Sequence, residues 1–178
     1  MENQFPYIKT KRLVLNKPVA EDIPNLLQLL NTSEIFSENT LNIPFPYLEE
    51  HAHFWLQLAE KGLENQEAYI FAIRNPETLE MMGAIGLHVS PQHQKAEVGY
   101  WMGENFQNQG YITEALESLL YFGFETLHLN KIYATYFTHN PSSGHILKKV
   151  GMIEEGILRQ EYIKNGHTLD VIRLSLLR

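Results

Sequence analysis

Apolar residues recur along the chain with two different spacings, and these predict a mixture of strands and helices. Runs rich in β-branched and aromatic residues predict strands over 10–16, 69–73, 82–87, 96–102 and 131–137. Apolar residues three and four positions apart predict helices over 20–30, 49–63 and 112–127. A further helix is expected to begin at Pro141, with Asn140 as its N-cap, and to end at Gly151.

Two connections between these elements have their own signals. Asn165-Gly166, between apolar runs at 156–164 and 167–177, is the strongest short signal for a β-hairpin. The segment 31–48 has no clean periodicity and contains two prolines, so it is expected to be a loop. Its aromatic residues are expected to plug the edge of the core, and they are Phe36, Phe45 and Tyr47.

The stretch 106–115 joins the predicted strand over 96–102 to the predicted helix over 112–127, and the next strand follows at 131–137. A strand, a helix and a strand in that order form a crossover, which makes the two strands parallel neighbours. The polar turn before the helix leaves the first helical N–H groups without partners, so they can bind an anion such as a phosphate. Gly110 would let the backbone approach that anion closely because it has no side chain. The stretch contains neither a P-loop lysine nor the glycine series of a dinucleotide site.

This loop resembles the signature of the GNAT family of acetyl-CoA-dependent N-acetyltransferases. Gln107-x-x-Gly110-x-Ile112 is similar to the Gln/Arg-x-x-Gly-x-Gly/Ala loop that holds the pyrophosphate of coenzyme A in that family, with Ile112 in place of the small third residue. Further segments are similar to the branch that contains the ribosomal-protein N-terminal acetyltransferases, namely 110–115, 140–143, 147–152 and 155–159. The resemblance runs from about Lys11 to the end of the chain.

The resemblance implies a mixed α/β fold in a single domain over 1–178, with a mostly antiparallel central sheet and one parallel crossover at the loop. It also implies acetyl-CoA as the cosubstrate. The residues expected to bind acetyl-CoA lie in the loop, at its flanks and in the helix after Asn140, and they are Met102, Gln107, Asn108, Gln109, Gly110, Tyr111, Ile112, Thr113, Asn140, Ser143 and Lys149.

Acetyl transfer from a thioester to an amine needs a base for the ammonium proton and an acid for the leaving thiolate. Ser143 lies in an Asn-x-x-Ser pattern whose serine supplies the acid in the resembled branch. Two carboxylates on predicted strands have similar weight as the base, Glu97 before the loop and Glu161 in the penultimate strand. Arg159 is a candidate ion-pair partner for Glu161, since it lies two residues earlier on the same strand face. Such a serine can also simply bond its own backbone, and such carboxylates can simply be solvated.

Composition narrows the classes of function. The chain has 178 residues, no cysteine, and a formal charge of −7 from 14 basic and 21 acidic residues. The lack of cysteine excludes a cysteinyl acyl-enzyme, and the eight histidines form no metal-ligand pattern, so no metal is expected. The acidic balance disfavours a nucleic-acid surface and suits a cationic amine. No apolar run has the length of a membrane span and the N-terminus has no signal segment, so a cytoplasmic protein is expected.

The resemblance favours the N-terminal amine of a protein, such as a ribosomal protein, as the acetyl acceptor. A small amine (a polyamine, an amino acid or an antibiotic) is the alternative, and a coenzyme-A-binding sensor without turnover is a third reading. The segment 31–48 and the last hairpin are expected to form the acceptor surface. The oligomeric state is open, with a homodimer as one alternative because related enzymes often pair.

Overall fold

The structure, a computed structural model, describes residues 5–178. Within them, eight strands are found: β1 (Ile8–Lys9), β2 (Val14–Asn16), β3 (Ala68–Arg74), β4 (Met81–Ser90), β5 (Lys95–Met102), β6 (Lys131–Phe137), β7 (Ile153–Lys164) and β8 (His167–Leu177). The α-helices are α1 (Ile23–Leu30), α2 (Ile35–Asn39), α3 (Glu49–Glu64), α4 (Tyr111–Tyr121) and α5 (Pro141–Lys149). A π-helix over Phe122–Thr126 continues α4. None of the helices in this range is both long enough and apolar enough to span a membrane.

The strands form one sheet in the order β1-β2-β3-β4-β5-β6-β8-β7. Neighbouring strands are antiparallel except for β5 and β6, which are parallel. The crossover through α4 requires this parallel pair. The predicted fold, a mostly antiparallel sheet with one parallel crossover at the loop, is therefore confirmed.

The sheet opens between β5 and β6. These strands pair only through residues 95–97 and 131–133, although they continue to Met102 and Phe137. Beyond that point β5 stays paired with β4, and β6 stays paired with β8. The two halves of the sheet therefore part after Glu97, and the gap connects one face of the sheet to the other.

Side chains along β5 alternate between two different layers of helices. Tyr100 and Met102 join the larger apolar cluster, which includes residues of α4 and α5. Trp101 joins a second cluster with residues of α1, α2 and α3, and Glu97 and Gly99 share its face of the strand. The first side is called the α4 face below, and the second is called the α2 face.

The segment 31–48 contains the short helix α2, which the sequence does not predict. Phe36 and Tyr47 are 6% and 5% exposed, so they plug the core as expected, whereas Phe45 is 43% exposed and the prediction for it is wrong. The ring of Phe36 meets the ring of Trp101 edge-on, with 6.1 Å between centroids. This contact joins parts of the chain that are distant in sequence, and it holds α2 against the sheet next to the gap.

Two turns near the ends of the sheet are set by residues close together in the sequence. Asn165 and Gly166 have φ angles of +50° and +77°, which confirms the predicted hairpin turn between β7 and β8. The strand expected over 10–16 is β2, and it begins only at Val14. The backbone N–H of Thr10 donates to the carbonyl of Leu13 at 3.0 Å, and this bond turns the chain before β2. That turn brings the segment before β2 close to the start of α4.

Candidate active site

The gap between β5 and β6 leads into a cleft of about 800 Å³. Its wall on the α4 face consists of residues 106–108 and 110–113 and of residues of α5, and its wall on the α2 face includes residues 35–36 and 39–42. Tyr100 and Trp101 both line the cleft although they point to opposite faces of the sheet. Since the cleft passes through the sheet, two ligands can enter from opposite faces and meet inside it.

The loop between β5 and α4 has the open backbone that Gly110 predicts. Gly110 has a φ angle of +79° at the N-cap of α4, and Asn108 has a φ angle of +60°. The side-chain amide of Gln107 donates to the carbonyl of Met102 at 2.9 Å, which closes the loop against the end of β5. Residues 111–113 line the cleft, so the free N–H groups of this helical turn are available to an anion there.

An ionic cluster from the turn before β2 braces this loop. Nε of Arg12 donates to Oε2 of Glu114 at 2.7 Å, and Nη1 of Arg12 donates to the carbonyl of Gln109 at 2.9 Å. Glu114 also accepts from Oγ1 of Thr10 at 2.6 Å. Burial alone would raise the pKa of Glu114, but the hydrogen bonds from Thr10 and Arg12 outweigh it and hold the pKa below its ordinary value. The charged carboxylate of Glu114 thus ties α4 to the start of the sheet.

Ser143, the predicted acid, lies in the first turn of α5 and lines the cleft. Its Oγ is 2.9 Å from the hydroxyl oxygen of Tyr100, and either oxygen can donate. The Tyr100 hydroxyl is also 3.3 Å from the carbonyl oxygen of Ser143. Burial raises the pKa of Tyr100 to about 12, although the bond to Ser143 acts in the opposite direction. Tyr100 therefore keeps its proton at neutral pH, and the two residues form a hydroxyl pair on the α4 face.

Asn140 and Lys149, at the two ends of α5, also line the cleft. Asn140 occupies the N-cap position, as predicted, but its side chain makes no capping hydrogen bond. The reason is its backbone, with φ −112° and ψ 68° instead of the extended conformation that aims a capping side chain at the helix. A Cβ on Gly144 would lie 2.5 Å from the ring of Tyr136, which shows how closely α5 approaches β6.

Glu97, the first candidate base, lies on the α2 face where β5 and β6 part. It is half-buried, and its Oε1 accepts a hydrogen bond from Oγ1 of Thr135 in β6 at 2.9 Å. Its neighbours in register are His88 in β4 and Tyr133 in β6. Within residues 5–178, Glu97 is the one carboxylate among the residues that line the cleft. The described lining of the cleft therefore has a single negative side chain, placed beside the gap.

Glu161, the second candidate base, lies on β7 and is not among the described residues that line the cleft. Its Oε1 is 4.0 Å from Nη2 of Arg173, so its ion-pair partner is Arg173 and the expectation of Arg159 is wrong. The cause is a β-bulge, where Gln160 has a φ angle of +51° and the register with β8 shifts. A bulge breaks the two-residue alternation that would place Arg159 and Glu161 on the same face.

The structure brings most of the predicted site residues to this one cleft. Those that line it are Glu97, Met102, Gln107, Asn108, Gly110, Tyr111, Ile112, Thr113, Asn140, Ser143 and Lys149. Gln109 and Glu161 are the exceptions. The side chain of Gln109 instead donates to the carbonyl of Asn105 at 3.0 Å, outside the lining. In the part of the chain that the structure describes, no three His, Asp or Glu side chains are grouped as a metal site would require.

Contacts that sequence reasoning missed hold the α2 wall in place. Nζ of Lys164, at the end of β7, donates to the carbonyl of Thr40 at 2.6 Å and to the carbonyl of Ser37. Nε2 of His139 donates to the carbonyl of Glu38 at 3.1 Å. Burial lowers the pKa of Lys164. Every residue has a backbone carbonyl, so the sequence contains no signal for these contacts.

Tyr100 is the other residue whose role the sequence leaves undefined. Strand alternation predicts that Tyr100 and Trp101 point to opposite faces, but it does not say which face carries the acid. Only the position of α5 places Ser143 across from Tyr100. The hydroxyl pair is therefore a product of tertiary structure, whereas each of its members lies in a recognisable sequence segment.

Comparison with known proteins places the chain among acetyltransferases. The family model described as an acetyltransferase (GNAT) domain matches residues 12–153. A ribosomal-protein-serine acetyltransferase of Escherichia coli is 27% identical over 164 residues, which cover 91% of this chain and 90% of that protein. A spermidine N(1)-acetyltransferase of Vibrio cholerae is 26% identical over 144 residues, which cover 79% of this chain and 83% of that protein.

A solved structure has the same fold. It is the ribosomal L7/L12 alpha-N-protein acetyltransferase RimL in complex with coenzyme A, with a TM-score of 0.86, 20% identity, and coverage of 97% of this chain and 98% of that one. The match to the family model extends over most of the chain, from before β2 to the start of β7. The chain belongs to the GNAT family of acetyl-CoA-dependent N-acetyltransferases.

Proposed function

We propose that the cleft transfers the acetyl group of acetyl-CoA to the N-terminal amine of a protein, such as a ribosomal protein. The observation that carries this proposal is the division of the cleft by the sheet. The hydroxyl pair of Ser143 and Tyr100 lies on the α4 face, and the carboxylate of Glu97 lies on the α2 face. Direct transfer needs an acid at the leaving sulfur and a base at the incoming amine, and the two faces supply these groups separately.

Several features of the α4 face support the binding of acetyl-CoA there. The N–H groups of the first turn of α4 and its helix dipole suit the pyrophosphate, and Gly110 leaves room for close approach. Lys149 offers a positive charge on the same wall, and Asn140 has a side chain that is free of a capping role. The other residues assigned to acetyl-CoA binding are Met102, Gln107, Asn108, Gln109, Tyr111, Ile112, Thr113 and Ser143.

In this proposal Glu97 and Ser143 carry out different proton transfers. Bound acetyl-CoA supplies an acetyl group that is already activated as a thioester. Glu97 accepts the proton that the substrate ammonium must lose before the new C–N bond can form. Ser143 donates a proton to the sulfur as the C–S bond breaks and regains one from the nitrogen of the forming amide, and Tyr100 orients the serine hydroxyl through the 2.9 Å contact. The chain has no cysteine that could carry the acetyl group in between, and in this proposal the amine attacks the thioester directly.

The charge of the cleft supports an acceptor with one amine rather than several. A polyamine has several positive charges, and each ammonium that leaves water needs a partner. Glu97 is the one carboxylate among the described lining residues, and the α2 wall otherwise has neutral side chains such as Phe36, Asn39, Leu41 and Trp101. A peptide N-terminus has a single ammonium followed by neutral amide groups, so it matches this lining better than spermidine does.

The test measures thiol release from acetyl-CoA with three acceptors. These are a lysine-free hexapeptide with N-terminal serine, the same peptide with a blocked N-terminus, and spermidine. We expect kcat/KM for the free peptide to exceed that for spermidine by roughly 10-fold or more, with no turnover of the blocked peptide. Mass spectrometry should find the acetyl group on the terminal nitrogen. A higher kcat/KM for spermidine would show that the acceptor assignment is wrong and that a small amine is the substrate.

A further inference from the structure

One glycine of the cleft has no structural reason to be a glycine. The chain has eleven glycines. Six are packed so tightly that a Cβ would lie 3.1 Å or less from another part of the protein, and they are Gly62, Gly83, Gly86, Gly103, Gly123 and Gly144. Four have the positive φ angles that favour glycine, and they are Gly110, Gly151, Gly156 and Gly166. The eleventh, Gly99, has neither property, and a Cβ built on it would have no described atom within 4 Å beyond its chain neighbours.

A glycine at this position weakens the strand that contains it. Gly99 lies inside β5 and pairs with Gly86 of β4. Glycine in a strand interior loses more conformational entropy on folding than other residues, and it has no side chain to pack. Such a glycine often marks a place where a ligand approaches the backbone closely. Because no described part of the protein occupies the space over Gly99, a ligand is the natural occupant.

The open space lies on the side of the cleft that contains the candidate base. Alternation along β5 puts Gly99 on the same face as Glu97 and Trp101, which are its neighbours two residues away on either side. All three residues line the cleft, and Gly99 is exposed. The pairing of β5 with β6 has already ended at Glu97. The space is therefore a short trench, with a carboxylate at one end and an indole ring at the other.

We propose that Gly99 is a specificity-determining residue, and that the carbon carrying the reacting amine lies over it with the amine directed at Glu97. This rests on the proposed function, acetyl transfer to an amine in this cleft. An α-amino group is attached to a carbon that also bears a side chain and a carbonyl, so it needs more room beside the strand than the unbranched methylene of a polyamine. The trench over Gly99 provides that room, which assigns the acceptor to the class of α-amino groups.

Gly99→Ala and Gly99→Val test this inference. Both variants should keep or raise the melting temperature, since the added atoms meet open space and valine favours strands. We expect kcat/KM for the serine peptide to fall about 10-fold in the alanine variant and about 100-fold in the valine variant, mainly through KM. Coenzyme A affinity should stay unchanged, since the loop and Ser143 lie on the opposite face.

Gly86→Ala is the matched control. Gly86 is the cross-strand neighbour of Gly99 but is not among the residues lining the cleft. A Cβ there would lie 3.1 Å from Cγ1 of Ile70, so this variant should lower the melting temperature. Its KM for the peptide should equal that of the parent protein. The two glycines thus predict opposite results, with stability lost at Gly86 and acceptor selectivity lost at Gly99.

Parallel assays with spermidine separate this inference from the proposed function. If the parent acetylates the peptide but Gly99→Val keeps kcat/KM within about two-fold with an intact fold, the inference about Gly99 is wrong and the proposed function stands. If the parent prefers spermidine, the proposed acceptor is wrong, and so is the assignment to α-amino groups. In a parent that acetylates the peptide, kcat/KM for spermidine should change less than about two-fold in Gly99→Val, because an unbranched methylene needs little room over Gly99, and an equal loss with both acceptors overturns the role in specificity.

Discussion

The two walls of the cleft are built from different kinds of sequence. The wall on the α4 face comes from two contiguous stretches, 106–113 and 140–149, each consisting of a turn and the helix that follows it. The wall on the α2 face combines residues 35–36 and 39–42 with β5 and with Tyr162 and Val171 of the β7–β8 hairpin. These parts meet only through long-range contacts, such as that of Lys164 with Thr40. A local motif can therefore identify the first wall, while only the folded chain defines the second.

The two walls also differ in the hydrogen bonds that hold them in place. On the α4 face, Arg12 pairs with the side chain of Glu114 and Tyr100 with that of Ser143, in addition to bonds from Arg12 and Gln107 to backbone carbonyls. On the α2 face, Lys164 and His139 contact backbone carbonyls of the α2 segment. Backbone carbonyls do not depend on residue type, so side chains of the α2 segment other than Phe36, which packs against Trp101, can change without loss of these hydrogen bonds. Under the proposed assignment of acceptor and cofactor, the α2 wall can thus vary with the acceptor while the α4 wall keeps its acetyl-CoA site.

The largest effect on the α4 wall should come from Ser143→Ala. As the proposed proton donor to the leaving sulfur, Ser143 should act mainly in the transition state, so turnover should fall by about 100-fold or more with little change in coenzyme A affinity. Alanine is a good helix former, so the stability cost should be small, on the order of 0.5 kcal/mol. Turnover, affinity and melting temperature are measured on one preparation.

Ser142→Ala is the matched control, since Ser142 is the adjacent serine of the same helical turn. It should keep turnover within a few-fold of the parent. If Ser143→Ala also stays within a few-fold, Ser143 has a structural role only, and the thiolate is protonated by water or by another group.

A smaller effect should follow from Gly110→Val, which tests the anion site of the same wall. A side chain there blocks the approach of the pyrophosphate to the loop, so coenzyme A affinity measured by calorimetry should fall by roughly 10-fold or more. Gly166→Val is the control, because Gly110 and Gly166 have nearly equal φ angles of +79° and +77°. Both variants should lose stability, and only the first should lose affinity. Unchanged affinity in a folded Gly110→Val protein would refute the loop assignment.

The smallest effect concerns the ionic cluster of Thr10, Arg12 and Glu114, which attaches that loop to the start of the sheet. Because the folded-state pKa of Glu114 is lowered, its charged form stabilises the fold above the ordinary pKa of 4.5, and that contribution is lost as the pH falls through the folded-state value. Glu114→Gln should therefore reduce the unfolding free energy by about 1 kcal/mol at neutral pH. Denaturant unfolding should show the difference shrinking in acid. Glu117→Gln, an exposed position on the same helix, should show little change, and an acid-independent loss in Glu114→Gln would contradict the account.

The sequence predicted the parts of the fold that depend on neighbouring residues. The crossover, the Gly110 turn and the Asn165-Gly166 hairpin each follow from a few adjacent positions. The sequence could not choose between Glu97 and Glu161, because strand alternation alone treats them alike. The structure separates them, because Glu97 lies where β5 and β6 part, whereas Glu161 lies on the edge strand β7 outside the described lining of the cleft. Long-range packing decided the rest, including α2 and the pairing of Tyr100 with Ser143.

The pH dependence of kcat/KM in Glu97→Gln and Glu161→Gln tests most directly the claim that the two faces of the gap supply the acid and the base. We expect Glu97→Gln to lose about 100-fold or more near neutral pH, and to recover at high pH, where the amine is already deprotonated in solution. Glu161→Gln should stay within a few-fold of the parent at every pH, because Glu161 lies outside the cleft lining. Parental rates in Glu97→Gln together with a large loss in Glu161→Gln would contradict the account.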